Sequence, residues 1–268
     1  MKYQMIVSDF DWTLGKSPNQ IPEPTKQAIK QFQDKGGVFV IVTGRTYFSI
    51  KEICKFHNIT GPIACCQGSY IADLETDKPL HHTGLNKDQA VKIYKTLKKD
   101  NFETVVAVVG NKVHAEDEQA YHHFGRVNNA PCVEHESLLE FLEKNNEPVC
   151  VMFAIVEEEK RYPSIDRYSK LLNGYGITVN SGTHHILEFA NSTSTKGSAV
   201  RKLAQIYGIS LDKVMAVGDS TNDIALIDGE WHGVAVGNAV DELKQVAKEV
   251  TVHYDQMPIK HLIEKYCL

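Results

Sequence analysis

The chain has 268 residues, 42% of them hydrophobic and 24% charged, which is the balance of a globular protein with apolar material for one large core and a second, smaller one. A formal charge of −5 argues against general binding to nucleic acid or to an anionic membrane surface. No apolar run reaches the roughly 18 residues of a membrane-spanning helix, and the apolar stretch after Met1 is too short for a secretory signal. Six dispersed cysteines with no Cys-x-x-Cys pair fit a reducing, cytoplasmic compartment, and the adjacent Cys65 and Cys66 read as strand material.

In chain order, the first apolar run is Met5, Ile6 and Val7, ending in Ser8 and Asp9. A helix is expected over 24–35, with Ala28, Ile29 and Phe32 on one face and Gly36–Gly37 as its stop. The run 38–42 leads into Thr43, Gly44 and Arg45, a helix is expected over 46–57, and the run 63–66 leads into Gln67 and Gly68. The middle differs: two helices over 86–99 and 164–172, strand-like runs over 104–109, 149–156, 177–180 and 186–189, and a charge run over 157–161 that reads as a solvated loop or helix start. Beyond it come a helix over 196–207 with Gly208 as cap, a run over 214–217 ending in Gly218 and Asp219, a run over 234–236 ending in Gly237 and Asn238, and a helix over 240–250.

Apolar runs without alternation are strands buried on both faces, hence parallel strands covered by helices on each side. Their alternation with helices predicts an α/β fold, a doubly wound, Rossmann-like parallel sheet formed by 1–83 and 190–268. The middle, 84–189, is expected as an inserted α+β domain, a mobile cap with hinges near Thr83–Gly84 and near 190–192. In such a sheet ligands bind beyond the carboxyl ends of the strands, where the polar residues ending each run fall.

Four clusters stand out, three of them at those ends and the one holding Lys196 at the opening of a helix. Asp9 and Asp11 offer two carboxylates to a magnesium ion, to nucleophilic attack and to proton transfer; a turn or helix cap is the plainer reading of such a pair. Thr43 and Gly44 offer a hydroxyl and backbone amides to a phosphate oxygen, or serve as a simple N-cap and turn. Lys196, in the first turn of a helix, opposes the helix dipole unless an anion is near; an exposed lysine is the alternative. Asp219, Asn222 and Asp223 offer two acids and an amide to a metal site, or form a polar loop with a cap. The histidine pairs 81–82, 122–123 and 184–185 are poor chelators, because neighbours on a strand face opposite sides.

Jointly, these residues resemble the haloacid dehalogenase phosphatases, specifically the Cof-type subgroup (IIB) with a large inserted cap. The resemblance rests on Ser8 through Leu14, on Thr43–Gly44, on Lys196, on Gly218 through Asp223 and on Gly233 through Ala239, with the long insertion falling between Thr43 and Lys196. It implies a phosphoric monoester hydrolase that takes a phosphoryl group on Asp9 as an aspartyl phosphate, with Asp11 as acid and then base. It implies Mg2+ held by Asp9, Asp219 and the backbone carbonyl of Asp11, and phosphate held by Thr43, Gly44, Lys196 and Asn222. It implies that Asp223 steadies Lys196, or a metal-bound water, from behind. The substrate class it implies is a small phosphorylated metabolite such as a sugar phosphate. Phosphoryl transfer to a second sugar on the same scaffold, and a phosphate-binding module without catalysis, are the competing functions. The sequence departs from the family pattern at Trp12, where most relatives carry glycine, at Gln67, at Ser220–Thr221 and over 252–257.

Overall fold

A computed structural model describes residues 1–15, 19–117, 120, 130–183 and 185–268. They divide into two compact units, Met1–Thr43 with Lys51–Leu80 and Thr195–Leu268, and Gly44–Ile50 with His81–Ser194. The second unit is thus wider at both ends than the insertion expected over 84–189. His122, His123 and His184, members of the histidine pairs, lie outside the described residues.

An eight-stranded sheet has the order β14-β13-β12-β1-β2-β3-β4-β5, the strands being Glu249–Val250, His232–Ala235, Val214–Gly218, Met5–Asp9, Val38–Val42, Pro62–Cys65, Tyr70–Asp73 and Pro79–His82, and the first unit holds all of it except His81 and His82 at the end of β5. Pairing is parallel from β14 to β3 and antiparallel between β3 and β4. All five residues of β1 and all five of β12 are buried, as two-sided coverage by helices demands. Helix α1 (Glu23–Asp34) starts at Pro22–Pro24 and turns Ala28, Ile29 and Phe32 inward. The last helix, Pro258–Tyr266, lies against it and buries Ile259, Leu262 and Ile263.

The helix expected over 240–250 is a shorter one, Asp241–Val246. Ala247 turns extended, the Lys248 N–H donates to the Gly233 carbonyl and the Thr251 N–H to that of Ala235. Helical spacing of Leu243, Val246 and Ala247 gives way because β13 offers a parallel edge that needs partners. Three successive positive φ angles at Cys66, Gln67 and Gly68 turn the chain from β3 into the antiparallel β4.

The second unit holds a six-stranded sheet in the order β10-β11-β9-β6-β7-β8: Ile177–Thr183, Ile186–Asn191, Val151–Ile155, Val105–Val109, Lys112–Ala115 and Cys132–Glu134. Alternate strand residues, among them Val105, Ala107, Met152, Ala154, Leu187 and Phe189, share one core with Ile93 and Leu97 of helix Lys87–Lys99, Leu138 and Leu142 of helix Leu138–Lys144, and Tyr168 of helix Arg161–Leu171. The two linker segments meet within this unit: Asn191 Nδ2 donates to the Gly84 carbonyl at 2.9 Å, and the Thr83 and Ser194 hydroxyls are 3.2 Å apart. Among the described residues, no helix is long and apolar enough to cross a membrane.

Candidate active site

The site begins with strand register. In the first unit β1 runs between β2 and β12, with Asp9 opposite Val42 and Ser8 opposite Val217. On the two neighbours, Thr43 follows β2 and Asp219 follows Gly218, the last residue of β12, so both leave the sheet beside Asp9 at one carboxyl edge.

Lys196 reaches this edge from α6, the helix Lys196–Tyr207. A reciprocal cap opens that helix: the Ser198 N–H donates to Thr195 Oγ1 at 3.1 Å and the Thr195 N–H to Ser198 Oγ at 2.9 Å. Gly68, at φ +101°, lets the left-handed turn come up against the helix start, since a Cβ there would lie 2.6 Å from the Thr195 carbonyl oxygen. Lys196 is 2% exposed, and its ammonium donates to Asp9 Oδ1 at 2.7 Å and to Asp223 Oδ1 at 2.6 Å.

The second oxygen of Asp223 accepts the backbone N–H groups of Asp219 (3.0 Å) and Ser220 (3.1 Å). Both of its carboxylate oxygens are thereby engaged. Gly218 makes room for it, because a Cβ at that position would lie 2.7 Å from the Asp223 carboxyl carbon. Asp219 Oδ1 accepts the Thr13 hydroxyl at 2.9 Å. Thr13 is buried, and no role had been assigned to it from the sequence; its one signal there is a hydroxyl two residues beyond Asp11.

The other expected site residues are placed as follows. Strand β1 ends at Asp9, so the half-buried Asp11 stands in a turn, closed by the Leu14 and Gly15 N–H groups on the Phe10 carbonyl. Thr43 is buried, donates its N–H to the Ala64 carbonyl and accepts that of Gln67. Gly44 opens the segment 44–50 of the second unit. Asn222 is exposed, in the short turn Thr221–Asp223.

Electrostatically the site carries more negative charge than its lysine answers. Burial pushes the Asp9 carboxyl well above the ordinary range; Lys196 opposes this, and Asp223 and Asp219 reinforce it. Burial and Asp223 push Asp219 up to about 6. Burial works against the Lys196 ammonium, yet Asp9 and Asp223 outweigh it and hold the group charged above its usual range. Asp9, Asp219 and Asp223 each present an oxygen within 4.8 Å of the others. A donor set made only of carboxylate oxygens, short of positive charge, fits a small hard cation.

Comparison with known proteins agrees with this fold. The haloacid dehalogenase-like hydrolase family matches residues 6–263, and the chain belongs to that family. It is 26% identical over 270 residues to the 5-amino-6-(5-phospho-D-ribitylamino)uracil phosphatase YitU of Bacillus subtilis, covering 99% of this chain and 98% of the relative. It is 24% identical to the pyridoxal phosphate phosphatase YbhA of Escherichia coli, covering 93% of each. Among solved structures, a haloacid dehalogenase-like hydrolase from Bacteroides thetaiotaomicron superposes with a TM-score of 0.82 at 23% identity, over 98% of this chain and 99% of that one. A subclass IIB sugar phosphatase superposes with a TM-score of 0.74 at 19% identity, over 98% of each.

Proposed function

We propose that this hydrolase is a magnesium-dependent phosphatase that cleaves a small phosphorylated metabolite through an aspartyl phosphate on Asp9. One observation carries the reading: a buried ammonium bonds both Asp9 and Asp223 and opposes the rise that burial imposes on the Asp9 carboxyl, beside carboxylate oxygens that could hold a cation. The small-metabolite class is supported by the relatives, whose names give phosphate esters of a ribitylaminouracil and of pyridoxal as their substrates.

In this reading an Asp9 oxygen attacks phosphorus, and the bond from phosphorus to the leaving oxygen breaks. Asp11 gives its proton to that oxygen. Asp11 then takes a proton from water, which attacks the phosphoryl group, releases inorganic phosphate and returns Asp9 to a carboxylate. Lys196 offsets charge on the phosphoryl oxygens, and Thr43, Gly44 and Asn222 orient them. Asp9, Asp219 and the Asp11 carbonyl would hold the magnesium ion, which supplies the positive charge that lets a carboxylate approach a phosphate dianion. Asp223 steadies Lys196.

The test separates the two acids. Asp9→Asn is expected to abolish turnover of every phosphate ester. Asp11→Asn is expected to lose about 10² to 10⁴ in rate on an alkyl phosphate, whose leaving oxygen needs a proton. With p-nitrophenyl phosphate, whose leaving group departs unprotonated, the burst of nitrophenol should survive in Asp11→Asn and vanish in Asp9→Asn. Substantial turnover by Asp9→Asn would overturn the nucleophile assignment.

A further inference from the structure

Trp12 is an indole in a place where the backbone favours glycine. Its φ is +60°, in the left-handed region that bulky side chains avoid, and the residue is 48% exposed. A residue kept in such a conformation marks a constraint from function more often than from packing. Here the constraint is visible. Asn238 Nδ2 donates to the Trp12 carbonyl at 3.0 Å, and Asn238 Oδ1 accepts the Tyr254 N–H at 2.9 Å, so one amide clamps two chain segments together. The Tyr254 ring meets the indole edge to face, with centroids 5.3 Å apart and planes 88° apart. On the other side, Thr13 is tied to Asp219.

The result is a fixed aromatic pair beside the chemistry. Trp12 follows Asp11 directly and stands three residues from Asp9, so its Cα lies within about 11 Å of that of Asp9. Tyr254 packs its ring against the indole, and Trp12 remains about half exposed as a residue. An exposed indole held by a clamp presents a flat, preorganised surface, which costs little further ordering when another flat ring lies on it.

We infer that Trp12, backed by Tyr254, is a specificity-determining platform that stacks a planar aromatic or heteroaromatic leaving group lying within a few bonds of the phosphate. The inference rests on the phosphatase reading, in which Asp11 faces the leaving oxygen, and it deepens that reading by naming the substrate class. Trp12 touches the ring of the substrate and takes no part in bond making. Its effect therefore falls on KM for ring-bearing substrates and leaves kcat and other esters alone.

Two measurements test this. In the first, phenyl phosphate and glycerol phosphate are compared as substrates for the wild type, Trp12→Gly and Trp12→Phe. Trp12→Gly suits the left-handed φ, so its melting temperature should not fall, and an effect on KM is then not a folding defect. It is expected to raise KM for phenyl phosphate about tenfold, with KM for glycerol phosphate and both kcat values changed by less than about twofold. Trp12→Phe should recover most of the loss. Equal losses on both substrates, or no change on phenyl phosphate, would overturn the platform.

The second measurement needs no turnover. Trp231 is fully buried, so the exposed Trp12 is the fluorophore that a bound ring perturbs. In Asp9→Asn, phenyl phosphate should change tryptophan emission saturably, and glycerol phosphate should do so far less. Adding Trp12→Phe should remove the response. If the wild type hydrolyses neither ester, the phosphatase reading fails while this titration still decides the platform; no response to phenyl phosphate sinks the platform alone.

Discussion

A lysine buried between two carboxylates holds its charge only while both partners remain, and each partner depends on it in turn. Asp9 and Asp223 both bond to the Lys196 ammonium and are themselves buried. Replacing Lys196 by methionine keeps the volume of the stem and removes the charge. It leaves two carboxyl groups in a dry site without their cation, a change that typically costs about 3–5 kcal/mol. Lys196→Met is therefore expected to lose stability of that order in urea denaturation at neutral pH, together with phosphate release. The sign with pH follows: Asp9, whose carboxyl burial already raises, can take up a proton, so the deficit should shrink as pH falls toward about 5. An equal deficit at both pH values would mean that packing, not charge, is what the lysine supplies. At this scale the sequence was informative about identity and silent about geometry. Asp9, Asp11 and Asp219 stand out by their place at the ends of apolar runs, and Lys196 by its place in the first turn of a helix. The partnership of Lys196 with Asp9 spans 187 residues and follows from no local spacing. Thr13 went unassigned because a threonine in a turn has many uses, and only the fold brings Asp219 to it.

At the scale of elements, legibility followed burial. Strands β1, β2 and β12 are covered on both faces, so their residues read as apolar runs, and helices α1 and α6 show one apolar stripe each. The short antiparallel β4 follows a left-handed turn that has no periodic signature, and β14 is two residues long inside a helical pattern. What holds β14 is side-chain chemistry that periodicity does not carry. Glu249 accepts bonds from Lys265 (2.9 Å) and Tyr266 (2.7 Å) of the last helix and lies 3.0 Å from His232 Nε2 on β13. Partial burial alone would raise its carboxyl, but the bonds from Lys265, Tyr266 and His232 win and lower it from 4.5 to about 2. An acid with a depressed folded pKa stabilises above its unfolded value and loses that contribution as pH falls toward the folded one. The wild type should accordingly lose more stability than Glu249→Gln between about pH 5 and pH 3, as read from denaturation midpoints. Parallel curves for the two proteins would show that Glu249 does not clamp the sheet edge to the helix.

For the whole molecule, the charge balance at the site links stability to the proposed cation. A net charge of −5 is small for 268 residues, yet three carboxylates gather around one ammonium inside the first unit. Burial and mutual repulsion hold Asp219 near 6 and Asp9 well above the usual range, so the protein without a cation carries unrelieved repulsion at neutral pH. A ligand that binds the folded chain alone stabilises it by about 2.7 kcal/mol at a hundredfold excess over its Kd. For a chain of this size that corresponds to a rise of about 5–10 °C in melting temperature. Magnesium should produce such a rise at about pH 7.5 and a smaller one at about pH 5, where it must displace protons from the same carboxylates. Asp219→Asn should remove the rise while leaving the melting temperature without metal unchanged or higher, since one repelling carboxylate is gone. Chelation should abolish phosphate release by the wild type, and magnesium should restore it. The first unit holds all three acids, so added amide protection should concentrate in β1, β12 and the turn 218–223. The core formed by β6, β9 and helix Lys87–Lys99 should exchange as before. A magnesium-induced rise that persists undiminished in Asp219→Asn would place the ion elsewhere, and full activity after exhaustive chelation would remove the metal from the reaction.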